Sequence, residues 1–333
     1  MDKPILTVVM LVYNKAGFLP DAIESVLGQK CQYKYKLLIS DDCSSDNSLA
    51  IARSYQKRFP DKIDIIEHKK NCGVIRNSID AYESICTKYI SICDADDFYC
   101  SRDKLQRQIT YMEKHPECSI SFHKALNYYV KTGVKTLSNP NQKKVLTIKD
   151  MAVSNYISSC TVMYRNYING KLPEWYADVT TNDLPLNLIM ANEGDIHFIP
   201  SVMSVYRKEY GNSEFAGATE ITRLRNTLYS RYPLLNDPRW SEEVRMLMKE
   251  TCAIYLYRLI DLYQKAGDMT NVELHKEHLD QLELAEEQLA SAYQKANVPP
   301  VLIQYKGWKK AASCLSRRLS RLIPVSILKI KVS

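Results

Sequence analysis

Short apolar runs recur along the first hundred residues: ILTVVMLVY (5–13), YKLLIS (35–40), KIDIIEH (62–68) and YISIC (89–93). Each has strand length and β-branched character. Between them the apolar positions step by three and four, in FLPDAIESVLGQ (18–29), SDNSLAIARSYQKRF (45–59) and GVIRNSIDAYESICT (73–87), which predicts amphipathic helices. Leu19, Ile23, Val26 and Leu27 share one face of the first, and Ser45 or Asp46 is placed to cap the second. The order β-α-β-α-β-α-β, folded by right-handed crossovers, predicts a mostly parallel sheet with helices on both faces.

Further on, SRDKLQRQITYMEKH (101–115) predicts a helix with Ser101 as its cap, and 118–146 reads as less regular. TIKD (147–150) has the form of a capping box with Asp in place of Glu, SSCTVMYRN (158–166) reads as a strand, and 181–207 reads as a helix followed by a strand. From Thr219 the chain turns to charged, periodic helical segments, punctuated by Asp237-Pro238 and Gly267. The expected division is an α/β domain over 1–217 (donor half 1–100, acceptor half 101–217), a helical accessory region over 218–298 and a basic tail over 299–333.

Composition narrows the class. A chain of 333 residues, 45% hydrophobic, can bury a core and hold more than one domain. The ten cysteines form no CxxC pair, which argues against a zinc site and against a disulfide framework and favours reduced thiols in the cytoplasm. The apolar run at 5–13 has nine residues against the ~20 a membrane helix needs, so it reads as a strand buried on both faces. Glycine is scarce, at 10, and tyrosine abundant, at 23. Compositional bias or tyrosines stacking on a ligand would each account for that.

Net charge is +7, but residues 288–333 hold nine Lys and Arg and no Asp or Glu, which leaves the rest of the chain at −2. A body without a positive stripe disfavours nucleic acid as a partner. Within the tail, Tyr305, Trp308, Ala312, Leu315, Leu319 and Leu322 recur at steps of three and four, opposite Lys309, Lys310, Arg317, Arg318 and Arg321. That pattern fits either an amphipathic helix on an anionic membrane, through residues 305–330, or a terminal helix packed on the body.

The polar residues after the strands carry the chemistry. Asn14 follows the first strand, Asp41 and Asp42 the second, Lys70 and Asn71 the third, and Asp94, Asp96 and Asp97 the fourth. All fall at carboxyl ends, the edge where open α/β sheets bind ligands. Crowded carboxylates raise one another's pKa unless a cation compensates. Mg²⁺ or Mn²⁺ supplies such charge through oxygen ligands, so Asp-x-Asp at a strand end suits a metal-bridged diphosphate. Neither GxGxxG nor GxxxxGK[ST] occurs, which speaks against a dehydrogenase and a P-loop NTPase.

TVVMLVYNKAGFLPDAIESVLGQ, LLISDDCSSDNSLAIA and NCGVIRNSIDAYESICTKYISICDADD, in that order and spacing, resemble family 2 glycosyltransferases of the GT-A fold. The resemblance covers residues 5–215 and implies an inverting transfer of sugar from a nucleotide diphosphate, a UDP-sugar in the first instance. It implies that Val12, Tyr13, Asn14 and Asp41 or Asp42 hold the base, and that Asn71, Arg76 and Asn77 lie near the ribose and diphosphate. Asp94 and Ala95 would meet the donor, Asp96 and Asp94 the metal (Mn²⁺ or Mg²⁺), with Asp97 behind. In TNDLPLNLIMANEGDIHFIPSVMSVYR (181–207), Asp183 matches the second acid of the family's ED-x-x-L helix and would be the catalytic base.

Two positions depart from the pattern. The Glu before the base is Asn182, and no His follows Tyr206-Arg207, where Glu209 or Tyr210 would have to serve the metal. The resemblance further implies a glycan or lipid-linked acceptor, a role in cell-surface polysaccharide synthesis, and action from the cytoplasm at the inner face of the cell membrane. Two alternatives stand beside it: a nucleotidyl- or phosphoryl-transfer enzyme on a similar sheet, and a non-catalytic nucleotide-sugar-binding scaffold. Asp183 discriminates, because a pure binder needs no carboxylate facing an acceptor.

Overall fold

The run at the start of the chain forms β1 (Leu6–Val12), with six of its seven residues buried. The computed structural model describes residues 3–138, 141–168, 170–208 and 219–297. After β1 the chain alternates as its periodicity predicts: α1 (Leu19–Leu27), β2 (Tyr35–Asp41), α2 (Ser48–Arg58), β3 (Ile63–Glu67), α3 (Gly73–Glu83) and β4 (Tyr89–Ile92). β1 pairs in parallel with β2 on one side and β4 on the other, and β2 with β3. Leu6, Val8, Met10 and Val12 point to one face of the sheet. There they join Leu19, Ala22, Ile23 and Val26 of α1 in a single core.

Past β4 come β5 (Phe98–Tyr99), α4 (Lys104–Lys114), β6 (Cys118–Tyr129), β7 (Lys135–Leu137), β8 (Val145–Leu146), α5 (Ile148–Val153), β9 (Met163–Arg165), α6 (Asp183–Ala191) and β10 (Asp195–Lys208). The sheet order is β3-β2-β1-β4-β9-β6-β10-β5, with β7 on β6 and β8 on β10. The sheet is mixed: β9 runs antiparallel between β4 and β6, and β6 and β10 are again parallel. β5 pairs antiparallel with β10, which brings the end of β10 beside the loop that follows β4.

Three local expectations change. Residues 118–146 are not irregular, since they hold β6 and its hairpin partner β7. Ser101 does not cap α4: the N-cap is Asp103, and the Ser101 hydroxyl donates to the Asp103 carboxylate instead. The N-cap of α2 is Asn47, although Asp46 accepts the Ser48 N–H at 2.9 Å. The Thr147–Asp150 capping box forms as predicted.

Lys104 is fully buried at the start of α4. Its ammonium donates to Ser91 Oγ at 3.0 Å and Gln108 Oε1 at 2.8 Å and sits 4.2 Å from the centre of the Tyr99 ring. Burial pulls its pKa down to about 7 from the 10.5 of a free lysine. Between those two values the unfolded chain holds a proton that the folded chain has shed, so stability rises with pH there; at or below pH 7 the full cost of the buried charge is present. Relative to Lys104→Met, the wild type is therefore expected to gain a few kcal/mol between pH 7 and 10, at about 1.4 kcal/mol for each pH unit crossed. Denaturant unfolding of both proteins across that range checks it, and parallel stability profiles would contradict it.

The described residues separate into two compact units that divide after Cys252. The first takes in α7 (Glu220–Tyr229) and the start of α8 (Glu242–Ala266). The second holds the rest of α8, α9 (Met269–Asp280), capped by Asp268 through the Asn271 N–H, and α10 (Glu286–Asn297). No helix among the described residues is long and apolar enough to cross a membrane. The basic stretch 305–330 and the two metal candidates Glu209 and Tyr210 lie outside the described residues.

Candidate active site

The carboxyl edge of the sheet is assembled from loops that hold one another through side chains. Asn14 sits just after β1 in the left-handed region, φ 53°, which asparagine tolerates better than most residues. Its Oδ1 accepts the Ser45 N–H at 2.8 Å and the Asp46 N–H at 3.3 Å, and its own N–H donates to Ser44 Oγ. Asp41, fully buried, takes the Ser44 N–H at 2.9 Å and the Ser44 hydroxyl at 2.7 Å. Asp42 receives the Cys72 N–H at 2.7 Å on one oxygen and the Gly73 N–H at 2.9 Å on the other, so its charge lies on the N-terminus of α3. Gly73 adopts φ 83° to make that turn.

The remaining residues expected near the donor divide by exposure. Val12 is buried at the end of β1, and Tyr13 beside it is exposed. Asn71 is exposed and bonds the Gly73 N–H at 3.2 Å. Arg76 is exposed on α3 and pairs with Asp80 one turn on. Asn77 is buried: its Oδ1 accepts from the Ser40 hydroxyl at 2.5 Å and its Nδ2 donates to the Ser40 carbonyl at 3.1 Å, tying α3 to β2.

After β4 the chain turns tightly, the Asp97 N–H donating to the Asp94 carbonyl at 2.9 Å, with Ala95 buried inside the turn. The three acids then face different environments. Asp94 accepts from the Ser159 hydroxyl, and burial, reinforced by the charge of Asp96, raises its pKa to about 6. Asp96 holds the Lys15 ammonium at 2.5 Å. Asp97 is fully buried, and its Oδ1 accepts the Arg207 N–H at 2.8 Å. Burial and its two acidic neighbours push its pKa well above the carboxylate range.

Arg207, near the end of β10, braces this turn from behind. Its guanidinium donates to the Asp96 carbonyl at 3.1 Å and to Asp21 at 2.7 Å, and lies 4.6 Å from the centre of the Phe98 ring. The second half of the domain contributes Asp183, the first residue of α6. Its Oδ2 accepts from Asn155 Nδ2 at 2.9 Å. Asn155 is held in turn by Asn187, whose Oδ1 takes the buried Tyr164 hydroxyl at 2.7 Å. Asp183 is near enough to Asp94 for its charge to help raise the Asp94 pKa. Acids nearly ninety residues apart in sequence thus meet at one corner.

Lys15, Ser159 and Asn155 stand in this site without having been singled out in the sequence. Lys15 directly follows Asn14 and could have been found as the one cation beside the first strand end. Ser159 and Asn155 carry no spacing signal, and only the fold brings them to Asp94 and Asp183.

A parallel-centred sheet with carboxylates gathered at its carboxyl edge has the layout in which open α/β folds bind their ligands. The fold is shared with solved structures. S. aureus TarS 1-349 in complex with UDP superimposes with a TM-score of 0.57 at 14% identity, over 83% of this chain and 91% of that one. The mannosyltransferase PcManGT from Pyrobaculum calidifontis, in complex with GDP-Man and Mn2+, gives 0.57 at 14% identity over 97% and 89%.

In sequence, residues 7–170 match the model of glycosyl transferase family 2, and that segment of the chain belongs to the family. The uncharacterized protein Rv1520 of Mycobacterium tuberculosis is 26% identical over 209 residues, 61% of this chain and 58% of its own length. TuaG of Bacillus subtilis, named for glycosyl transfer in teichuronic acid biosynthesis, is 28% identical over 172 residues, 51% of this chain and 66% of its own. The chain thus spans under two thirds of the length of these relatives.

Proposed function

We propose that the protein is an inverting glycosyltransferase that moves a sugar from a nucleoside diphosphate, UDP in the first instance, to a hydroxyl of a glycan or lipid-linked acceptor in cell-surface polysaccharide synthesis. The observation that carries the reading is the convergence of Asp94, Asp96 and Asp183 on one sheet edge, with Asp94 and Asp183 electrostatically coupled. The names of TuaG and of the UDP-bound TarS support the substrate class.

In the proposed reaction an Asp183 oxygen takes the proton of the acceptor hydroxyl as that oxygen forms a bond to the anomeric carbon. The bond from that carbon to the diphosphate breaks, and the nucleoside diphosphate leaves with the electron pair. Asn155 orients Asp183, so that the free oxygen faces the acceptor while the other is occupied. The residues present suit a hard divalent cation: Asp94 and Asp96 offer oxygen donors, and the raised pKa of Asp94 marks negative charge in need of compensation. Mn²⁺ or Mg²⁺ held by Asp94 and Asp96 would supply positive charge to the leaving diphosphate. The Mn2+ in PcManGT supports that assignment. Tyr13 and Asn71, exposed at the same edge, are proposed to contact the donor, with Arg76 free to turn from Asp80 toward the diphosphate.

A panel of UDP-, GDP- and dTDP-sugars, with and without Mn²⁺, assayed for released nucleoside diphosphate, tests the proposal. Metal-stimulated release from one donor class is expected. Release of pyrophosphate or inorganic phosphate instead would favour nucleotidyl or phosphoryl transfer, and tight donor binding without turnover on any acceptor would favour a scaffold. The same proposal places the enzyme at the cytoplasmic face of the cell membrane through residues 305–330; co-sedimentation with anionic vesicles that survives truncation at Pro299 would remove that placement.

A further inference from the structure

At the far end of β6 and β10 from the carboxylate corner, a second group of metal-type ligands comes together. His115 follows α4, Glu117 precedes β6, and His197 is the third residue of β10. One ligand atom of each lies within 4.8 Å of the others. Arg207, at the donor end, is ten residues along β10 from His197, about 30 Å at strand rise.

The backbone is held close where this cluster forms. The Asp195 N–H donates to the Glu117 carbonyl at 2.8 Å. A Cβ on Gly194 would come within 2.4 Å of that same carbonyl oxygen, so the approach requires glycine. His197 is nearly fully buried, and its Nε2 has no hydrogen-bond partner. A buried polar atom left so is uncommon and calls for an explanation. Its Nδ1 meets the Tyr111 hydroxyl at 2.9 Å, while Tyr111 stacks on His115 with ring centres 4.3 Å apart. His115 Nδ1 and Glu117 Oε1 are 2.9 Å apart.

We propose that His115, Glu117 and His197 form a zinc-class transition-metal site, with Nε2 of His197 as its buried ligand. Two imidazoles and one carboxylate suit Zn²⁺, with a fourth position left for water, and suit Mg²⁺ or Ca²⁺ poorly, since those prefer all-oxygen shells. Tyr111 is the outer partner: with Nδ1–H donating to its oxygen, Nε2 keeps the lone pair that the metal needs. Tetrahedral ligand atoms stand about 3.3 Å apart given Zn–N and Zn–O near 2 Å. Exposed Glu117 and half-buried His115 can rotate to close the spread while His197 stays fixed. The cysteine pattern gave no sign of this site, because its ligands are not cysteines and come from segments about eighty residues apart.

The test uses metal-free full-length protein without nucleotide, titrated with Zn²⁺ against a chromophoric chelator, and with Co²⁺ as a spectroscopic probe. Expected are one Zn²⁺ per chain and the strong visible absorption of four-coordinate Co²⁺. His115→Ala should weaken zinc by more than the ~10–100-fold typical of an outer-shell change, and Tyr111→Phe by about that outer-shell amount. Asp96→Asn should leave this zinc in place, which separates it from any ion at the donor corner. His115 is only half-buried, so its variant is expected to fold and to keep sugar transfer. Zinc retained equally by His115→Ala and Glu117→Gln, or no zinc held at micromolar concentration by the wild type, would overturn the proposal.

Discussion

Asp183→Asn is expected to reduce sugar transfer by about 10³-fold or more, within or beyond the 10²–10⁴ range of a general base, while donor affinity changes little. The substitution keeps the side-chain shape, the position at the start of α6 and a group to meet Asn155, but it removes the basic oxygen. The loss should fall on kcat, because proton removal belongs to the transition state and not to donor binding. Asn155→Leu is the companion: with the carboxylate kept but no longer held, a loss of about 10-fold to 100-fold in kcat is expected, together with a changed pH profile. Steady-state kinetics with saturating donor, and donor binding by calorimetry, separate the two. Near-normal turnover of Asp183→Asn would remove Asp183 from the mechanism.

Asp183 is legible only through the resemblance to family 2 glycosyltransferases, whereas much of the fold is legible in the residues themselves. Alternation of apolar runs and helical periodicity places β1 to β4 and α1 to α3, because β1, β2 and β4 are buried by apolar side chains and the edge strand β3, though mostly half-buried, keeps three isoleucines. It then puts Asp94 and Asp96 at the carboxyl edge. β6 is hidden because Ser119, Ser121 and His123 are fully buried in it, which breaks the apolar pattern that strand reading depends on. The Ser119 hydroxyl donates to the Asp195 carbonyl at 3.3 Å and Ser121 Oγ accepts from Gln108 Nε2 of α4 at 3.4 Å, tertiary bonds that no local window contains.

The same limit applies inside the site. Spacing brings Asp41 and Asp42 to the carboxyl edge and the resemblance adds Asn77, yet neither tells that these side chains are engaged with Ser44, with the start of α3 and with Ser40. These three hold the loops in shape, and exposed neighbours such as Tyr13 and Asn71 are better placed to meet a ligand. Arg207 was legible as half of a Tyr-Arg pair, but its bond to the Asp96 carbonyl depends on the β5–β10 pairing.

The Asp94–Asp97 turn leads to the second large effect. Asp96→Asn should lower transfer by about 10³-fold and abolish stimulation by Mn²⁺, since losing several kcal/mol of charge stabilisation at the leaving group costs tenfold per ~1.4 kcal/mol. Asp97→Asn serves as the contrast. Asp97 is fully buried, takes the Arg207 N–H and has a strongly raised pKa, so a neutral side chain there should leave metal affinity within a few-fold of wild type. Lys15→Met separates charge from coordination. Lys15 neutralises Asp96 across 2.5 Å in a pair that is largely but not wholly buried, so metal binding has to proceed against a resident cation. Removing it should tighten Mn²⁺ about twofold to fivefold, the range of a modest ion pair, while lowering activity at low metal, where the ammonium substitutes in part for the ion. Mn²⁺ titration by electron paramagnetic resonance reads all three variants. Unchanged metal affinity in Asp96→Asn would show that the ion, if bound, is held elsewhere, and weaker affinity in Lys15→Met would mean that the lysine supports the ion instead of opposing it.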